Sequence, residues 1–206
     1  SILPYKIHQF IPQTGNVYLT IGDQASRQIT VEEKLYCKEL SHGDVKIMYY
    51  PVVFSRLSGH EFYVIKIIGS TIMPRNFDGY ATGDGDSDVN DGYIILPHHG
   101  ESVDDYMLDI TSDDIPSDWY TTNKKGVRKL KKIYEARIPQ KIYVTQSGAY
   151  SPTEPLDGMG YMEAVFVPSP LMYDPTARAI YKGKQSEYSK LSRIGGEGRS
   201  TATTVL

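Results

Sequence analysis

The sequence predicts an α+β, β-rich fold: an antiparallel sandwich or barrel-like sheet with two or three short helices and an extended C-terminal arm. Three observations carry that reading. Short runs rich in Tyr, Val and Ile recur along the 206 residues, bounded by Gly, Pro, Asn or Asp. Helical patterns do not follow each strand, which argues against alternating βαβ units. The aromatic set is lopsided, with 17 Tyr against 5 Phe and 1 Trp. Tyrosine suits strands, half-buried positions and protein–protein contacts, where its ring packs and its hydroxyl finds a partner.

Taken in order, PYKIHQF (4–10) and NVYLTIG (16–22) read as strands separated by the Pro/Gly turn in IPQTG. TVEEKLYCKELSHG (30–43) reads as a helix. Thr30 and Glu33 supply a capping box, Val31, Leu35 and Leu40 a buried side, and Gly43 a stop. DVKIMYYPVVFSRL is β-prone, with Pro51 forcing an edge position, a bulge or a break. EFYVIKIIGS (61–70) is the most apolar run and predicts a central strand. A Gly/Asp loop (78–92), the strand YIIL (93–96), the turn PHHG and a brief helix in ESVDDYMLDI follow. KIYVTQ (141–146) and YMEAVFV (161–167) are further strands, after which Pro168, Pro170 and Pro175 break regular structure. Residues 1–168 therefore predict one β-rich domain, and 169–206 an extended arm ending in GGEGRSTATTVL.

Composition excludes little. Hydrophobic residues make up 40% and charged residues 23%, ordinary for a soluble protein. The single Cys37 forbids an intramolecular disulfide and fits a reducing compartment. No apolar run reaches the roughly eighteen residues that span a bilayer, and SILPYKIHQF carries no cleavable signal pattern. A virion or cytoplasmic setting is favoured.

Charge is more informative. Residues 76–123 hold 12 Asp/Glu and no Lys or Arg, whereas 124–206 hold 14 Lys/Arg against 7 Asp/Glu. Six of the nine residues from 124 to 132 are basic: Lys124, Lys125, Arg128, Lys129, Lys131 and Lys132. Read as a helix, this segment gathers Val127, Leu130, Ile133, Tyr134 and Ile138 on one side and the cations on the other. Lys124 and Lys125 would then crowd the positive end of the helix dipole, a conflict that a bound anion relieves. Nucleic-acid phosphate, an anionic membrane surface, or the acidic block of another copy could supply that anion. The last needs no outside partner and predicts a homo-oligomer built from head-to-tail contacts.

Other motifs are weaker. DGDSDVNDG offers Asp84, Asp86, Asp88 and Asp91 as calcium ligands. Val89 stands where the EF-hand pattern requires Gly, and Ile95 where it requires Glu. His98 and His99 lie near carboxylates and suggest zinc or two-metal hydrolysis, but neighbours on an extended segment point to opposite faces. Cys37 could act as a nucleophile with His42, His60 or a PHHG histidine, as in small toxin or effector hydrolases. The final TTVL fits a loose PDZ-ligand pattern through Thr204 and Leu206, a match short enough to arise by chance. No phosphate loop, G-x-S-x-G elbow, CxxC pair or H-E-x-x-H occurs. The leading expectation is a non-enzymatic structural or assembly protein, of virion coat or matrix type. A small hydrolase and a membrane- or nucleic-acid-binding module are the alternatives.

Overall fold

The structure, a computed structural model, describes residues 16–77, 89–112, 114–124, 126–183 and 185–194. Its strands are β1 (Val17–Thr20), β2 (Ile29–Thr30), β3 (Tyr36–His42), β4 (Val45–Ser55) and β5 (Glu61–Ile68). Then come β6 (Thr71–Pro74), β7 (Val89–Ile95), β8 (Tyr120–Thr122), β9 (Arg128–Leu130) and β10 (Gln140–Thr145). The remainder are β11 (Tyr150–Ser151), β12 (Tyr161–Pro168), β13 (Tyr173–Asp174), β14 (Ala179–Ile180) and β15 (Leu191–Ser192). Two single-turn helices, α1 (Lys132–Glu135) and α2 (Glu187–Lys190), join 3₁₀ turns at Val103–Tyr106 and Ser117–Trp119. The predicted β-rich α+β class holds.

One large sheet runs β11-β10-β12-β7-β5-β4-β1-β2, with β3 and β15 branching from β4 and β6 from β5. The pairings are antiparallel, and among the described residues the end strands β11 and β2 do not pair with each other, so these strands form no closed barrel. The sheet nevertheless curls, bringing β6 to the β10–β11 turn, where Thr71 bridges Ala149, the Ile72 N–H donates to the Gly148 carbonyl and the Tyr150 N–H to the Ser70 carbonyl, both at 2.8 Å.

Strand alternation explains why both faces are buried. In β5, Tyr63, Ile65 and Ile67 enter one cluster while Phe62 and Val64 enter another. Ile94 and Tyr93 of β7 divide the same way, as do Phe166 and Val165 of β12. A strand buried on both sides must read as a continuous apolar run, which FYVI (62–65) is, with Glu61 and Lys66 flanking it. Pro51 sits inside β4, opposite Tyr18 of β1. It is tolerated there because β4 pairs with β3 up to Met48 and with β5 from Val52, leaving Pro51 in the gap between the two partners.

Three expectations change. Residues 30–43 are not a helix: 36–42 form β3, which pairs Cys37 with Ile47 and Tyr36 with Met48. Strand pairing buries Cys37 completely and leaves Val31 and Leu35, assigned to a buried helix side, 53% and 48% exposed. Thr30 accepts the Glu32 N–H in a local turn, and Gly43, at φ +57°, serves the β3–β4 hairpin. Residues 124–138 are not one helix either. Gly126, at φ +79°, turns a β8–β9 hairpin in which Thr121 faces Lys129 and Thr122 faces Arg128. Only the single turn α1 follows. The brief helix expected in ESVDDYMLDI is a 3₁₀ turn, and there a capping box does form at Ser102 and Asp105.

The arm expected from residue 169 is, over its described part, packed onto the sheet. Leu171 and Leu191 are fully buried against the β5–β7–β12 face, and β15 pairs with β4. That face is apolar and needs a cover, which this segment and the Val103–Tyr106 turn provide. The strand expected at 4–10 and the terminal GGEGRSTATTVL, including Thr204 and Leu206, lie outside the described residues.

Candidate functional site

The basic cluster forms a protruding hairpin and turn. Lys124, Arg128, Lys129 and Lys132 are exposed and Lys131 is half-buried, while Lys125 lies outside the described residues. Leu130 anchors the hairpin against Ile115 and Trp119, and Trp119 stacks on Tyr134 with centroids 4.7 Å apart. Lys131 Nζ donates to the Asp118 carbonyl at 2.5 Å, and the Arg128 guanidinium sits 4.3 Å from the Tyr120 ring. Val127 and Ile133 remain 58% and 68% exposed among the cations. Because no long helix starts at Lys124, the helix-dipole case for an anion there lapses.

The neighbouring acidic segment also faces outward. Glu101, Asp104, Asp105, Asp109, Asp114 and Asp118 are all exposed. Of the four aspartates considered for calcium, Asp84, Asp86 and Asp88 lie outside the described residues. Asp91 is in β7 opposite Lys66, with a carboxylate oxygen 3.9 Å from Arg75 Nε.

A different group of side chains converges where β5 begins and β7 ends. Pairing of Tyr63 with Ile94 sets Glu61 across from the chain that continues into His98. His60 closes the β4–β5 turn through its carbonyl, which accepts the Ser55 N–H at 2.9 Å. Ser55 Oγ in turn donates to the buried Asp174 at 2.5 Å. The His60 and His98 rings stack with centroids 3.9 Å apart and 12° between planes. His98 Nε2 lies 3.2 Å from Glu61 Oε2, and Arg27 donates to Glu61 Oε1 at 2.5 Å. Glu101 ties down the far side, accepting the His98 backbone N–H at 2.9 Å and the Tyr106 hydroxyl. His60 Nε2 is buried with no hydrogen-bond partner.

The electrostatics follow from this packing. Burial, and then the nearby His98 imidazole, push His60 below its ordinary value of 6.5. Burial, the largest single influence, raises Glu61, but the Arg27 hydrogen bond, a backbone N–H, the Arg27 charge and His98 together outweigh it and hold the carboxyl below 4.5. Glu101 is lowered chiefly by the Tyr106 hydroxyl. The result is a low-pKa imidazole beside a stabilised carboxylate.

Sequence reasoning considered His60 and the PHHG histidines as partners for Cys37, and His98 with His99 as metal ligands; it passed over Glu61 and Arg27. The structure separates those pairings. Cys37 Sγ has Glu39 and Tyr49 as its polar neighbours and packs with Tyr18 and Ile47, while His99 is exposed. The available signal was the His60–Glu61 dipeptide at the start of the most apolar strand, with His98 just past the next long one. Comparison with protein-family models, curated protein sequences and solved structures finds no match to any of them.

Proposed function

We propose that this chain is a non-enzymatic structural protein that self-associates, the β8–β9 basic hairpin and α1 of one copy docking on the acidic 101–118 segment of the next. Support comes from one observation: both charge poles face solvent, and the cationic one carries two large exposed apolar side chains, Val127 and Ile133. Single exposed ion pairs contribute only about 0–1 kcal/mol each. Val127 and Ile133 are already partly covered, so burying the 58% and 68% that remain exposed adds about 1–2 kcal/mol apiece. Against an association penalty of at least about 4 kcal/mol, one such contact is weak and reversible. In a closed ring or a lattice, however, a copy is held by more than one such contact at once and gains what a single pair cannot. A virion coat or matrix-type component is a class of protein with that task.

Two alternatives have less support. Base stacking on Trp119 is blocked, since it is 3% exposed and already covered by Tyr134. Nucleophilic hydrolysis through Cys37 gains no support, because among the described residues its side chain has Glu39 and Tyr49, not an imidazole, as polar neighbours. No helix among the described residues is long and apolar enough to cross a membrane. The test is a charge swap: Lys129→Glu with Lys132→Glu abolishes association, and so does Asp104→Lys with Asp105→Lys. Mixing the two double variants restores it. Failure of the mixture to associate, or retention of vesicle or oligonucleotide binding as the salt-sensitive activity, refutes the reading.

A further inference from the structure

We propose that His60, Glu61 and His98 form a binding site for a divalent transition-metal ion, of the zinc class. Each contributes one donor atom, and the three atoms lie within 4.8 Å of one another. Two imidazole nitrogens and one carboxylate oxygen suit zinc and its first-row neighbours, whereas calcium requires six to eight oxygens. Of the three separations, all within 4.8 Å, that between His98 and Glu61 fits already, and binding would tilt the two imidazoles out of their parallel stack so that both lone pairs reach one ion. Ligand atoms about 2.0–2.1 Å from a tetrahedral ion stand roughly 3.3 Å apart. His98 Nε2 and Glu61 Oε2 are already 3.2 Å apart, so an ion would replace their shared proton with little movement.

His60 supplies the independent observation. His60 Nε2 is buried with no partner, and native proteins rarely leave such a nitrogen unsatisfied without a reason. Here the partnerless atom belongs to a ring stacked on a second imidazole and next in sequence to a carboxylate. His60 precedes β5, so strand alternation does not force it away from Glu61.

The surroundings are those of a supported site. Arg27 occupies Glu61 Oε1 and leaves Oε2 to face the imidazoles. Glu101 fixes the His98 backbone, and the Ser55–Asp174 contact fixes the turn that presents His60. Such outer partners typically change metal affinity by about 10–100-fold when removed. The His98 side chain is 36% exposed, so the ion would be reached from solvent on that side.

The experiment is calorimetric titration of chelator-treated full-length protein with zinc chloride, repeated with cobalt chloride and followed by visible absorption. One zinc per chain binds, with Kd at or below about 10 µM. Cobalt gives d–d bands of a low-coordinate site, and calcium gives no heat. His98→Ala, at a half-exposed position, weakens binding by at least about tenfold, whereas His99→Ala leaves it unchanged. His60→Ala abolishes binding; should it unfold, His98→Ala decides alone. Absence of one-to-one binding, or equal losses in His98→Ala and His99→Ala, overturns the site. Because the readout is metal affinity, it stands or falls separately from self-association.

Discussion

Replacing Lys190 by Met should loosen the C-terminal segment from the sheet, and the structure gives the magnitude. Lys190 Nζ lies 2.9 Å from Glu187 Oε1 and donates to the Leu171 carbonyl at 2.7 Å. Both side chains are only 3% exposed, so solvent screening gives little relief. Glu187 is also the acceptor for the Tyr93 hydroxyl at 2.7 Å and for the Leu171 N–H at 3.1 Å. Removing the cation leaves a buried carboxylate and a carbonyl without their partner, which costs about 3–5 kcal/mol. For a chain of this length each kcal/mol lowers Tm by about 2–4 °C, so Lys190→Met should melt roughly 10 °C below wild type. Glu187→Leu should cost a similar amount, because it strands Lys190, Tyr93 and the Leu171 amide. In a double-mutant cycle the pair Glu187→Leu, Lys190→Met should lose less than the sum of the two single losses. A Lys190→Met variant within about 1 kcal/mol of wild type by urea unfolding would show that the network does not hold the segment down.

Gly92→Ala should destabilise by at least about 2 kcal/mol in the same assay, since a Cβ there would stand 2.4 Å from the Phe166 ring and 2.6 Å from the Val167 carbonyl. Cys37 should resist thiol reagents in the native protein and react at least about a thousandfold faster in denaturant, because it is fully buried. Rapid native labelling would contradict its place in the core. Burial pushes Tyr63 up to about 12 and raises Tyr50 and Tyr93 as well. Their folded pKa values lie above the unfolded value of 10, so their contribution is intact below pH 10 and is lost as pH rises toward 12 and beyond. Ultraviolet titration should show fewer ionised tyrosines at pH 11 in the folded protein than in denaturant. Equal counts would contradict the packing.

The parts of the fold readable in advance were those whose signal is local and doubly reinforced. FYVI (62–65) and AVFV (164–167) are apolar and buried on both faces, so a buried strand is the simplest reading of each. TVEEKLYCKEL failed because capping and helical spacing were satisfied on paper, while the decisive term was non-local. DVKIMYY needed a partner, and β3 supplied it at the expense of Val31 and Leu35. NKKGVRKL failed differently: Gly126 was present as a turn residue but was outweighed by the spacing of Leu130, Tyr134 and Ile138, which do face a common cluster around Trp119. The C-terminal segment looked like an arm because its apolar residues are sparse. Leu171 and Leu191 nonetheless suffice to cap a face that cannot stay wet. The His60–Glu61–His98 group was illegible for a topological reason, since its members meet only once β5 and β7 are known to be neighbours.

Self-association through opposite charge is tested most directly by light-scattering mass at about 20 mM and about 0.5 M salt, at several protein concentrations. At the lower ionic strength the Debye length exceeds 10 Å, and at the higher it shrinks to a few ångströms. The predicted result is a mass above that of one chain that rises with concentration in dilute salt and collapses to 23.2 kDa in concentrated salt. A mass fixed at that of one chain under both conditions, at every concentration, would contradict it.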